Sequence, residues 1–102
     1  MVHLDKEDFN KLISKGNKLV DFYAEWCGPC KMMGTVLESV DDKLDIIKVD
    51  IDKFSELTDE YKVMSVPTLI FFKDGEKVRE EVGYISEEDL LKIADETFNK
   101  NF

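Results

Sequence analysis

The chain is poor in the residues that cofactor chemistry usually draws on. Of 102 residues, two are cysteine, one is histidine, two are proline and five are glycine. A zinc site takes about four nitrogen or sulfur ligands. Cys27, Cys30 and His3 cannot supply those from one chain, which leaves only a site shared between two chains, and His3 reads as a solvated residue. The glycines (Gly16, Gly28, Gly34, Gly75, Gly83) form no dinucleotide-binding fingerprint. No apolar run approaches the ~20 residues that cross a bilayer. Positive charge is also scarce: 14 Lys and Arg face 23 Asp and Glu, a formal net charge of -9. Such a surface repels phosphate backbones and anionic lipids, so neither nucleic acid nor membrane is an expected partner. The opening "MVHLDKEDF" has no basic-then-apolar signal pattern, which makes the cytoplasm the expected location.

What is present is an alternation of apolar runs. Hydrophobic residues make up 43% and aromatics 11%, enough for one folded domain over residues 1–102. "VHL" reads as a short strand, and Asp5 as the cap of a helix carrying Phe9, Leu12 and Ile13. "KLVDFYA" (Lys18 to Ala24) is apolar on both alternating faces, as in a strand covered on both sides. Met33, Val36, Leu37 and Val40 recur at helical spacing. "DIIKVDI" (Asp45 to Ile51) predicts a strand, "KFSELTDEY" (Lys53 to Tyr61) a short helix and "TLIFF" (Thr68 to Phe72) a further strand. Asp74-Gly75 then predicts a hairpin into "KVREEVG", whose valines alternate with charge as in an edge strand. Ser86 caps a last helix through Leu90, Ala94 and Phe98. The order β-α-β-α-β-α-β-β-α gives an α/β fold: a mixed sheet of about five strands flanked by about four helices. A charged edge points to a monomer.

Both cysteines lie in "VDFYAEWCGPCKMM" (Val20 to Met33). As a staple, a bridge closing four residues would contribute only ~2 kcal/mol by the loop-entropy model, in a domain that needs none. As a redox couple the spacing is apt. Residues i and i+3 at a helix start lie about 5–6 Å apart, so their sulfurs can join and part with little backbone change. Pro29 fits the first helical turn, where a missing N–H is harmless. The helix N-terminus favours a thiolate on the first sulfur, and the thiolate is the nucleophile of exchange. Cys30 continues the stripe of Met33, Leu37 and Val40 and should face the core. Cys27 precedes the stripe and is expected to be accessible.

"FYAEWCGPCK" (Phe22 to Lys31), "VPT" (Val66 to Thr68) and "FFKDGEKV" (Phe71 to Val78) together resemble the thioredoxin family, in order and over essentially the whole chain. The resemblance implies the thioredoxin fold and a protein-disulfide reductant. Cys27 would attack a target disulfide and Cys30 would resolve the mixed disulfide, with Gly28 and Pro29 between them. No cofactor would be bound; an NADPH-dependent thioredoxin reductase would restore the dithiol. Asp21, a carboxylate in a strand covered on both faces, should have a raised pKa. It is either a satisfied buried polar residue or, as the resemblance implies, the proton acceptor for Cys30. Lys48 matches a family lysine near that aspartate, although a solvated strand lysine fits its alternation with Ile47 and Val49 equally well. For target binding the resemblance implies Val66 and Pro67, with a cis bond that sequence alone would make trans. It also implies Gly83, lining the same groove. Trp26 is either core or an exposed platform, and Tyr84 extends the rim by adjacency. One departure is Thr35, preceded by Gly34, where the family usually carries a helix-kinking proline. The competing readings are a disulfide oxidase or isomerase domain, and a thiol-independent binding subunit or holdase.

Overall fold

The computed structural model describes residues 1–99, so the last three positions of the expected 1–102 domain lie outside the described residues. Its strands are β1 (Val2–His3), β2 (Asn17–Tyr23), β3 (Ile46–Asp50), β4 (Thr68–Lys73) and β5 (Glu76–Val82). Its helices are α1 (Phe9–Ile13), α2 (Gly28–Ser39), α3 (Ser55–Glu60) and α4 (Glu87–Phe98). The strands form one five-stranded sheet ordered β1-β3-β2-β4-β5. β1, β3 and β2 run parallel, and β4 and β5 join antiparallel. This is the mixed sheet with four helices that the alternation predicted.

Side chains alternate across a strand, and here both faces are covered. On one face Leu19, Ile46, Leu69 and Phe71 meet Met33, Val36 and Leu37 of α2 and Leu90, Ala94 and Phe98 of α4. On the other, Val20, Phe22, Ile47, Val49, Ile70 and Phe72 meet Phe9 and Ile13 of α1, with Leu57 and Tyr61 at the edge. A fully buried Leu or Phe contributes roughly 1.5–3 kcal/mol, so β2 and β4, apolar toward both faces, anchor the domain.

The element ends differ in detail from the expected ones. α1 is capped by Asp8, whose carboxylate accepts from the Lys11 N–H, and not by Asp5. Asp5 instead pairs with Lys53 at 2.8 Å. Ile51 leaves the β3 ladder, and α3 is confined to Ser55–Glu60. Ser86 caps α4 as expected, accepting from the Asp89 N–H. At the hairpin, Asp74 and Gly75 both take positive φ, and the Asp74 carboxylate accepts from the Gly16 N–H at 2.8 Å. β5 lies at a sheet edge with Val78 and Val82 exposed.

α2 runs unbroken through Gly34 and Thr35. Glycine in a helix interior costs roughly 0.8–1 kcal/mol relative to alanine. The nearest atom an added Cβ would meet is Lys48 Nζ at 3.4 Å, a contact and not a clash. Gly34→Ala should therefore stabilise the domain by up to about 1 kcal/mol. A thermal melt followed by circular dichroism should show a midpoint about 4–8 °C higher.

Candidate active site

The site begins with the alternation of β2. Leu19 points to the α2 face, so Asp21 and Tyr23, two and four residues on, point the same way. On β3 the same parity puts Lys48 with Ile46 on that face. The parallel register sets Asp21 directly beside Lys48. The sequence left Lys48 open between solvent and site. Because helices cover both faces, alternation with apolar neighbours carries it under α2 and not into water.

Asp21 is 0% exposed, and neither carboxylate oxygen has a hydrogen-bond partner. The Lys48 ammonium stands 3.7 Å away, an ion pair too long for a hydrogen bond. Burial is the dominant influence and pushes the Asp21 pKa up to about 6, against a smaller lowering by Lys48. Lys48 Nζ also lies 4.4 Å from the centre of the Tyr23 ring. A cleft of about 230 Å³ opens here, lined among others by Cys30, Tyr23, Gly34, Thr35 and Lys48. Thr35, where the resemblance would place a proline, thus stands in the wall of a cleft that Cys30 and Lys48 also line.

Cys27 and Cys30 form a disulfide with Cα atoms 5.2 Å apart. Cys27 is the N-cap of α2: its sulfur accepts from the Cys30 N–H at 3.1 Å, and Pro29 sits in the first turn. Cys30 lies on the buried side of the helix, as its place on the apolar stripe predicted. The expected accessibility of Cys27 does not hold in this oxidised state: Cys27 is 6% exposed and Cys30 3%. The cause is local, since the Cys27 sulfur is bonded to Cys30, rests 3.7 Å from the Val66 carbonyl oxygen and joins a cluster with Ala24, Tyr23 and Val66. What separates the two sulfurs is the helix terminus more than exposure.

Several apolar residues adjoin the disulfide. Trp26 is 69% exposed and so is not core, and its indole N–H donates to Asp52 at 2.9 Å. Val66-Pro67 is cis, and the Pro67 carbonyl accepts from the Gly83 N–H at 2.8 Å. Gly83 has φ +98 with open space where a Cβ would stand. Tyr84 is exposed beside it. Gly28, in the first turn of α2, likewise has nothing near its missing Cβ.

Sequence reasoning missed four neighbours of the site. Asp52 fixes the tryptophan from beyond β3, a reach that no spacing encodes. Met64, 92% exposed, lies two residues before Val66 in the loop carrying the cis bond. Tyr23 and Gly34 both neighbour the Lys48 ammonium; the β2 alternation could have flagged Tyr23. Among the described residues no group of three or more His, Cys, Asp or Glu is placed to hold a metal ion. No helix there is long and apolar enough to cross a membrane.

The thioredoxin family profile matches residues 1–96. A thioredoxin of Staphylococcus epidermidis is 48% identical over 99 residues, covering 93% of this chain and 95% of its own length. One of Staphylococcus aureus is 43% identical over the same shares. Among solved structures, a mutant thioredoxin of Halobacterium salinarum NRC-1 superposes with a TM-score of 0.90 at 32% identity, covering 99% of this chain and 93% of that one. A thioredoxin of Malassezia sympodialis gives 0.80 at 33% identity over 95% and 90%. With a disulfide capping the helix that follows the central strand, and relatives matched along nearly their full length, the chain belongs to the thioredoxin family and is a thiol–disulfide oxidoreductase whose redox pair is Cys27–Cys30.

Proposed function

We propose that the protein is a cytoplasmic, monomeric reductant of disulfides in other proteins, fed by an NADPH-dependent thioredoxin reductase. The observation that carries this reading is the Cys27 sulfur at the head of α2, beside the cis Val66-Pro67 bond and the exposed Trp26. In the reduced protein the Cys27 thiolate attacks one sulfur of a target disulfide and expels the other as a thiolate, leaving a mixed disulfide. Cys30 gives up its proton to Asp21 and attacks the Cys27 sulfur. The second target sulfur also leaves as a thiolate, the two target thiolates take up protons from Asp21 and from solvent, and this chain keeps the disulfide. Two electrons have passed to the target; the reductase returns them, drawing on hydride from NADPH.

The other residues take supporting roles. The Cys30 N–H, at a helix start with Gly28 and Pro29 in its first turn, stabilises the departing or attacking Cys27 thiolate. Trp26, Val66, Pro67, Gly83 and Tyr84 receive the target, whose extended segment pairs with the backbone beside Pro67 in the manner of an added strand. Gly83 leaves that approach open. Lys48 tunes Asp21. The net charge of -9 works against nucleic acid and membrane as partners.

The test is reduction of insulin disulfides with NADPH and a bacterial thioredoxin reductase, followed as NADPH consumption. Sustained turnover with catalytic amounts of this protein is expected. A reduction potential well above the cytosolic glutathione poise, about -220 to -320 mV, would instead make the domain an oxidase.

A further inference from the structure

We propose that Tyr23 and Gly34 form a slot that positions the Lys48 ammonium against Asp21, so that these two uncharged residues govern the protonation of the buried carboxyl group. The inference deepens the reading of Asp21 given above and rests on it for its relevance to exchange.

Three contacts define the slot. The ring of Tyr23 lies under the ammonium, 4.4 Å from its centre, a distance at which the negative ring face attracts a cation. From the α2 side, the absent side chain of Gly34 makes the room: even a Cβ would stand 3.4 Å from Nζ, and a longer side chain would occupy the ammonium's place. The third side is Asp21 itself, at 3.7 Å. Among the described residues, the ion pair and the ring contact are what hold the lysine there. Asp21 in turn has no hydrogen-bond donor for either oxygen, so its charged form depends on how closely the ammonium is held.

The groups around the carboxyl are few. β3 contributes Lys48, and β4 sets the apolar Leu69 opposite Asp21. Cys30, Glu25, Lys31 and Glu38 line the cleft that Lys48 and Tyr23 also line. Among the described residues, Lys48 is the charged group that pairs with Asp21. A lysine on a flexible stem could swing toward Glu38 or into solvent; the ring and the glycine keep it inward. They act through the lysine, as positioning residues.

The test is a carboxyl-carbon NMR titration of Asp21 in the oxidised protein, where neither cysteine titrates and no target is present. Lys48→Met sets the full effect of losing the ammonium. Tyr23→Leu and Gly34→Leu are expected to move the Asp21 midpoint upward by about half a pH unit or more, a threefold change in the ratio of acid to carboxylate. Tyr23→Phe, which keeps the ring face, should leave it in place. An unmoved midpoint in Tyr23→Leu, or in Lys48→Met, would overturn the proposal. If the leucine variants fail to fold, the wild type still decides: the Lys48 ε-methylene protons must show an upfield ring-current shift that persists in Tyr23→Phe, and its absence overturns the slot. Because no exchange reaction is read, this result is independent of whether Asp21 serves Cys30, which mixed-disulfide decay measures separately.

Discussion

Cys27→Ser is expected to reduce insulin turnover to the uncatalysed background, a fall of about 10³-fold or more, equivalent to roughly 4 kcal/mol in the barrier. A serine hydroxyl at the head of α2 receives the same Cys30 N–H but does not ionise near neutral pH, so the helix terminus has no anion to stabilise. Cys30→Ser should behave differently. Its Cys27 still attacks, but nothing resolves the adduct, and the mixed disulfide accumulates as a covalent species visible by mass spectrometry. The pair of variants separates the two sulfurs although their burial is nearly equal, 6% and 3%. Adduct accumulating in Cys27→Ser and absent from Cys30→Ser would reverse the assignment.

Asp21→Asn should make the protein slower and more stable at once. The Asp21 pKa rises from 3.8 to about 6 on folding because burial penalises the carboxylate. Below pH ~4 both folded and unfolded states hold the proton and no penalty applies. Between pH 4 and 6 the unfolded chain releases it while the folded chain retains it, so stability falls as pH rises. Above pH 6 the loss levels off at about 3 kcal/mol, from the difference of roughly two pKa units. Asparagine has the same shape without the charge, so at pH 8 it should gain up to about 3 kcal/mol over the wild type, narrowing toward zero near pH 4. Urea denaturation of the oxidised protein at the two pH values checks this. In stopped-flow experiments the same substitution should slow mixed-disulfide decay more than initial attack by Cys27. Unchanged decay removes Asp21 from proton transfer, whatever the stability result.

The sequence disclosed the sheet because its strands are apolar toward both faces and its turns are chemically marked. "KLVDFYA" has no polar face, and Asp74-Gly75 supplies the positive φ of the hairpin. It disclosed the redox pair because the i, i+3 spacing, the proline and the apolar stripe are local features of one helix. The less legible parts depend on contacts between distant segments. The cap of α1 is Asp8 and not Asp5 because the helix begins at Phe9, three residues later than a cap at Asp5 would set, and Asp5 pairs with Lys53 far along the chain. Lys48 was ambiguous because alternation tells which face a residue takes but not what covers that face. The indole of Trp26 finds Asp52 across a loop, and the Cys27 sulfur is covered by Val66, 39 residues away.

The position of β2 has a mechanical consequence. It is hydrogen-bonded to β3 on one side and β4 on the other, and the disulfide hangs from the loop at its end. Interior strands open to solvent only when a whole domain comes apart, whereas the two-residue β1 and the outlying β5 can fray on their own. Thermal breathing at the rim therefore leaves in place the strand from which the disulfide loop departs.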